Sequence, residues 1–362
     1  MTKILQANPS QEQELLARLR AVLDRGGLVI LPTETVYGIA ARADRPQAMD
    51  RLRALKEREG PFTLHLGDTS QVPGLAEAPV QARRLAKNYW PGPLTMILEG
   101  PKHGSRAREI GAGESLGYRV VDHPWTGPFL RNFEGGLVMS SANRQGRPAP
   151  RSLEDLDPAV LELADLALDH GPCQSGIAST VLRVGHQGSI RILRSGLEPK
   201  EQFLARAATL HLFVCTGNTC RSPMAALLYH QHLATKLGVS PDSLLEHGHL
   251  VSSAGISAQP GMPASPRAIE AMAELGLDLS YHRSRFAHPT LLVRASRIYC
   301  MGQRHLDLVR QSLEGMGGSL EEDARPPRLL RPEGDIPDPF GGDLGLYVET
   351  REALRASIEG LE

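Results

Sequence analysis

The chain has 362 residues, a length that suggests about two domains, each able to bury its own core. Its 40 Lys+Arg against 41 Asp+Glu give a formal net charge of -1, which excludes a protein that grips nucleic acid by bulk charge and leaves only a local basic cleft for that purpose. Cys173, Cys215, Cys220 and Cys300 are too few for a disulfide scaffold, no apolar run reaches the ~18 residues of a membrane span, and the start MTKILQANPSQEQELL turns polar too early for a secretory signal, so a soluble, cytoplasmic protein without a membrane partner is expected.

Leu15, Leu16, Leu19, Val22 and Leu23 fall at helical spacing and predict a first helix over Gln11 to Asp24, ended by Gly26-Gly27. A short buried strand follows at Leu28 to Leu31. Helical patterns cover Gln47 to Lys56 and Val80 to Asn88, and strand-like runs cover Thr95 to Leu98, Tyr118 to Val121, Leu137 to Met139, Thr180 to Val184 and Ile190 to Leu193. A charged helix from Glu198 to Thr209 reads as a connector. The expected division is therefore a first domain over residues 1–200, a linker helix at 201–209 and a second domain over 210–362. In the second, strands at Leu210 to Val214, His249 to Ser253 and Arg297 to Met301 are interleaved with helices at Met224 to Leu237, Ser265 to Leu275 and Leu344 to Leu361. Strands alternating with helices favour parallel sheets, so the class is α/β in two domains.

In the first domain, polar residues gather at strand ends. Leu28 to Gly38 reads LVILPTETVYG, a buried strand and then a turn rich in hydroxyls. Lys56 and Arg58 close a helix. Trp90-Pro91-Gly92-Pro93-Leu94-Thr95, Arg119, Ser140-Ser141-Ala142-Asn143, Ser179-Thr180-Val181 and Ile192-Leu193-Arg194-Ser195-Gly196 follow. Singly, each has an ordinary explanation, a capped strand end or a surface charge pair. In this order, they resemble the YrdC-like threonylcarbamoyl-adenylate synthase family across roughly residues 10–197.

That resemblance implies a twisted α/β sheet with a concave, positively charged face. It also implies a reaction in which L-threonine, bicarbonate and ATP give threonylcarbamoyl-AMP and pyrophosphate. The product would feed N6-threonylcarbamoyladenosine formation in tRNA, which makes tRNA or tRNA-modification proteins expected partners. Lys56, Arg58 and Arg194 would offset the charge of ATP together with Mg2+, and Asn143 and Ser141 would bond ribose or phosphate oxygens. Arg119 would hold the threonine carboxylate through its fork. Thr33, Thr35, His65, Ser141 and Thr180 would serve the threonine hydroxyl and amine. The sequence departs from the family pattern at Glu59-Gly60-Pro61-Phe62, a shortened loop, at Ala178, where a glutamate is usual, and at Ser140, where a proline is usual. A non-catalytic ATP- or RNA-binding regulatory module is the alternative reading.

The second domain opens on Leu212-Phe213-Val214-Cys215-Thr216-Gly217-Asn218-Thr219-Cys220-Arg221-Ser222, followed by Pro223 and a helical run. The loop from Thr216 to Cys220 can curl its backbone N–H groups around an anion. Gly217 and Asn218 tolerate positive φ, Pro223 suits a first helical turn, and the helix N-terminus adds its positive end. Cys215 is expected to be a nucleophile with a lowered pKa, Arg221 to clamp two phosphoryl oxygens, and Ser222 to donate to the thiolate. Asp338, in the rigid loop Asp335 to Gly342, is the expected acid for the leaving group.

With Ser253-Ala254-Gly255 and the distal Asp338-Pro339-Phe340, these residues resemble the low-molecular-weight protein tyrosine phosphatase family over roughly residues 210–362. The resemblance implies a doubly wound, four-stranded parallel sheet and a phosphocysteine intermediate on Cys215, with a phosphoprotein as substrate and no cofactor. Cys220 matches a second cysteine that can form a reversible disulfide with the nucleophile. Thr219 stands where tyrosine-directed relatives carry a bulky aliphatic, which tilts the expectation from phosphotyrosine towards phosphoarginine. Arsenate reductase, which shares the fold, is disfavoured because the only downstream cysteine is Cys300, in an apolar run. No metal site is expected: His230 and His232, and His247 and His249, do not share a helix face, and Cys215 and Cys220 lack a second pair. Cys173 and Trp90 read as structural.

Overall fold

The computed structural model describes residues 2–57, 62–99, 115–133, 137–316 and 321–361. The chain divides into two compact units, Met1–Ala207 and Ala208–Glu362. In the first unit the strands are β1 (Lys3–Gln6), β2 (Val29–Leu31), β3 (Gly38–Arg42), β4 (Thr63–Leu66), β5 (Leu94–Glu99), β6 (Ser115–Val120), β7 (Leu137–Ser141), β8 (Leu166–Asp169), β9 (Thr180–Val184) and β10 (Ile190–Arg194). They form one sheet in the order β1-β8-β2-β3-β7-β4-β6-β5-β9-β10.

The sheet is mixed, as a twisted α/β sheet allows. β1·β8, β2·β8, β4·β6 and β5·β9 run parallel, while β2·β3, β3·β7, β4·β7, β5·β6 and β9·β10 run antiparallel. The reason is local: only six residues, 32–37, join β2 to β3, too few for the crossover that parallel neighbours need. That hairpin loop is Pro-Thr-Glu-Thr-Val-Tyr, so the hydroxyl-rich turn sits at the end of two central strands. β1, β3, β4 and β8 fall outside the strands predicted from patterning. β3, GIAAR, carries no alternation and is extended because β2 and β7 pair with it on both sides.

Among the described residues the α-helices of this unit are α1 (Glu12–Asp24), α2 (Pro46–Lys56), α3 (Val80–Tyr89), α4 (Thr126–Arg131), α5 (Pro158–Leu163) and α6 (Lys200–Ala207). Leu15, Leu19 and Leu23 put one stripe of α1 into a cluster with Val29, Leu31, Phe129 and Leu130. The segment expected as a linker is α6, and it is no free connector. Its Phe203 stacks on Tyr89 of α3 with ring centroids 4.4 Å apart, and Arg84 of α3 donates to Ala207 O at 3.1 Å. Burial of Phe203, Leu204 and Ala207 explains why it packs on the first unit.

In the second unit β11 (Thr209–Cys215), β12 (His249–Gly255), β13 (Arg297–Cys300) and β14 (Arg328–Leu329) form a wholly parallel sheet in the order β12-β11-β13-β14. β11 is buried along its whole length, as a central parallel strand must be. Its alternation feeds two cores. Leu210, Leu212 and Val214 meet α9 (Pro289–Arg294) and α10 (Gln303–Glu314), whereas Phe213 and Cys215 meet α7 (Arg221–Leu237), α8 (Pro266–Ala273) and α11 (Leu344–Glu359). No helix of the described residues is long and apolar enough to cross a membrane.

Candidate active sites

A cavity of 530 Å³ opens in the first unit, and Thr33, Lys56, His65, Arg119, Ser141, Asn143 and Arg194 all line it. Arg58 lies outside the described residues, as do Glu59, Gly60 and Pro61 of the shortened loop. Ser140 and Ala178, the other two of the three departures, are also lining residues, together with Thr95 and Ser179.

Thr33 organises the hairpin loop. Its Oγ1 accepts from the N–H groups of Thr35 and Val36 at 3.2 Å each and donates to Val36 O at 2.7 Å. Thr35 Oγ1 lies 2.8 Å from Thr33 Oγ1 and accepts from Arg119 Nη2 at 2.6 Å. The same Nη2 pairs with Glu34 Oε1 at 2.6 Å. Glu34 was not a predicted site residue, although it is the single acid in that turn.

His65 Nδ1 lies 3.1 Å from Thr63 O. A carbonyl only accepts, so Nδ1 carries the proton and Nε2 keeps its lone pair. Burial, and then the Arg119 charge, lowers the His65 pKa to about 3, so the ring is a neutral acceptor at working pH. His123 is lowered to about 4 by burial and then by His170. Both start from 6.5. As pH falls below that value the unfolded chain takes up these protons and the folded chain does not. Stability that is present above pH 6.5 is therefore lost progressively towards pH 4 and 3. The urea midpoint of the first unit is expected to fall as the pH is lowered below neutrality, and His65→Gln to flatten that dependence. Equal dependence in both proteins would contradict this account.

Two of the three cations expected for ATP, Lys56 and Arg194, are bonded within the protein. Lys56 Nζ donates to Ser141 O at 2.9 Å, Asn143 O at 2.7 Å and Asn143 Oδ1 at 3.1 Å. It thus holds the Ser141–Asn143 turn, which Ser141 Oγ ties further by donating to Asn143 Oδ1 at 2.5 Å. Arg194 Nε donates to Ser179 O at 3.0 Å and Nη2 to Ser179 Oγ at 3.2 Å. Thr180 is a correction: it does not line the cavity, and its Oγ1 accepts from Gly196 N at 3.0 Å. β9 alternates, so Ser179 and Val181 face the cavity and the residue between them faces away.

In the second unit the loop after β11 closes around Cys215. Asn218 N–H points at Cys215 Sγ, with N and S 3.3 Å apart, and Ser222 Oγ lies 3.0 Å from the same sulfur. The left-handed residue is Asn218, at φ 55°, and not Gly217. Its side chain buttresses the loop: Nδ2 donates to Ser222 Oγ at 2.9 Å and Ser253 Oγ at 2.8 Å, and Oδ1 accepts from Arg285 N at 2.9 Å. Gly255 is required here, because a Cβ would meet Thr216 O at 2.4 Å and Asn218 N at 2.9 Å. Thr216 Oγ1 is 2.9 Å from His305 Nε2, and His282 Nε2 donates to Asn218 O at 2.7 Å. Thr219 O accepts from Ser265 N at 2.9 Å, and Cys220 Sγ lies 3.3 Å from Tyr347 OH.

Arg221, the first residue of α7, pairs with Asp338 at 2.5 Å and donates to Ile336 O at 3.4 Å. The residues expected as clamp and acid are thus brought together in one ion pair. One expectation is corrected. The Cys215 thiol is pushed up rather than down, because burial beside Phe213 and Met224 outweighs its bonds to Ser222 and Asn218 and the Arg221 charge. Cys300 is raised to about 12 by burial, as an inert core thiol is, and all four cysteines are free.

Residues 21–196 match the family model for Sua5, YciO and YrdC, described as telomere recombination. A threonylcarbamoyl-AMP synthase of Chromohalobacter salexigens is 43% identical over 151 residues, 40% of this chain and 80% of that protein. The chain belongs to the Sua5/YrdC family. Residues 211–362 match the low molecular weight phosphotyrosine protein phosphatase model, so this Sua5/YrdC protein carries a phosphatase-family domain as its second half. The threonylcarbamoyl-AMP synthase of Bacillus subtilis is 31% identical over 226 residues, 60% of this chain, and the chain covers 64% of its length. A solved YwlE arginine phosphatase from Geobacillus stearothermophilus is 33% identical, covering 42% of this chain and 88% of that one, with a TM-score of 0.34.

Besides Glu34, sequence reasoning missed Ser179, His282 and His305. Ser179 stood in a quoted motif, whereas the two histidines lie 64 and 89 residues from their loop partners and carry no local signal.

Proposed function

We propose that the chain joins two catalysts, a threonylcarbamoyl-AMP synthase and a cysteine-dependent phosphatase. The synthase reading rests on one observation, the convergence of Thr33, Lys56, His65, Arg119, Ser141, Asn143 and Arg194 on a single cavity. In it, the threonine amine and bicarbonate give a carbamate with loss of water. A carbamate oxygen then attacks the α-phosphorus of ATP, and the bond to pyrophosphate breaks. No side chain forms a covalent bond, so catalysis is positioning and charge stabilisation.

Among the described residues no group of three or more His, Cys, Asp or Glu could hold a metal ion. The hydroxyls and carbonyls present suit an ion carried by triphosphate oxygens and water rather than a carboxylate cage. Bound Mg2+ supplies neutralisation of phosphate charge, while Lys56 keeps the Ser141–Asn143 turn in place. The threonylcarbamoyl-AMP formed would pass to a tRNA adenosine. Pyrophosphate release that requires both L-threonine and bicarbonate is the expected result. ATP binding without pyrophosphate would leave a non-catalytic nucleotide module in its place.

In the phosphatase, the Cys215 thiolate forms an S–P bond as the bond to the leaving group breaks and Asp338 protonates that group. Water then attacks phosphorus, the S–P bond breaks, and Asp338 takes up the water's proton. The supporting observation is the sulfur at the base of a loop whose mouth carries Arg221 and Asp338. Before phosphate can occupy Arg221, Asp338 must leave it, which also frees the acid for its task. We read the substrate as phosphoarginine, because the Thr219 hydroxyl can bond a guanidinium that an aliphatic wall would exclude. A phosphoarginine peptide is expected to turn over faster than a phosphotyrosine peptide. Thr219→Ile should reverse that order by about tenfold or more, the scale of one pocket contact. Wild-type protein that prefers phosphotyrosine would refute the assignment.

A further inference from the structure

Arg119 is buried, and its Nη2 is fully committed to Glu34 Oε1 and Thr35 Oγ1, each at 2.6 Å. A guanidinium grips a carboxylate in parallel through Nη2 with Nε, or Nη2 with Nη1. Either fork therefore needs Nη2 to be released by the hairpin loop. Arg119 lines the cavity and Glu34 lies behind it, outside the lining, and this corner holds two buried polar atoms with no partner among the described residues, Glu34 Oε2 and Arg119 Nε. Buried ionic groups left this way are costly, and a ligand that satisfies both is favoured there.

We propose that Glu34 makes this site selective for zwitterionic α-amino acids, by exchanging partners with the ligand. The ligand carboxylate takes Nε and Nη2 of Arg119, and the ligand ammonium takes the Glu34 carboxylate that Arg119 gives up. One buried ion pair becomes two, and no charge is stranded before or after. A hydroxy acid without an amine would leave Glu34 beside a second anion, which is the penalty that rejects it. The neutral Nε2 of His65 is then the acceptor available for a side-chain hydroxyl. The exchange rests on reading the cavity as a threonine site.

The test is equilibrium binding of L-threonine and of 3-hydroxybutanoate, its analogue without the amine, to the full chain. Wild-type protein is expected to prefer threonine by about 100-fold or more, and Glu34→Gln to narrow the gap to about tenfold or less, with 3-hydroxybutanoate gaining affinity. Glu34→Asp, which keeps the charge, should retain the preference. An unchanged ratio in a folded Glu34→Gln protein overturns the exchange and leaves the threonine site standing. Equal binding of the two ligands by wild-type protein, which needs no variant, also overturns it. Wild-type protein that binds no threonine removes both.

Discussion

Cys215→Ser is expected to lower hydrolysis of p-nitrophenyl phosphate by about 10⁴-fold or more, while vanadate and phosphate still bind. A serine hydroxyl is far less acidic and less nucleophilic than a thiol, so loss of the sulfur removes the nucleophile itself. The cradle does not depend on the sulfur. Asn218 is held by Ser222, Ser253 and Arg285 N, and Gly255 fits under Thr216 O. The oxyanion site should therefore survive, and steady-state rates with calorimetric vanadate titration check both halves of the statement. Retained turnover would remove the nucleophile assignment. Because burial raises the Cys215 thiol in the resting site, the thiolate needs Arg221 turned back towards the loop. Asp338→Asn, which weakens the competing ion pair, should accordingly tighten phosphate binding while slowing turnover.

Arg119→Ala should have the larger combined effect. Removing the guanidinium leaves the Glu34 carboxylate buried without its cation, at a cost of about 3–5 kcal/mol. It also removes the proposed partner of the threonine carboxylate, so threonine-dependent pyrophosphate release should fall by about 10²-fold or more. Arg119→Lys separates the two effects. It restores a cation beside Glu34 but not a fork, so stability should recover more than activity does. Urea denaturation and the pyrophosphate assay, run on the same preparations, measure each. Parallel recovery of both in Arg119→Lys would mean that Arg119 serves the fold alone.

The second unit was the easier half to read. Its central strand β11 is buried along its whole length, α7 and α11 are long, and its loop residues are contiguous from Cys215 to Ser222. What escaped were the buttresses, His282, His305 and Arg285, which reach the loop from distant segments. The direction of the Cys215 shift also escaped, because a sequence carries the dipoles and charges of a motif but not the depth at which it is buried. In the first unit the motifs and six of the ten described strands were legible, and their pairing was not. β3 and β4 are too short or too plain in pattern to stand out, and the PTETVY hairpin reads equally as a crossover turn.

Residue identity and order therefore determined by themselves that this is a two-domain α/β chain with a Cys-x5-Arg loop after the strand that ends at Cys215 and a hydroxyl-rich turn after Leu31. Only the tertiary structure decided which groups meet. Arg221 faces Asp338 across 117 positions of chain, and Arg119 meets Glu34 across 85. The reason is physical: backbone pattern is written locally in burial and turn chemistry, whereas the partner of a buried charge is selected by whatever the packed strands bring within hydrogen-bond reach.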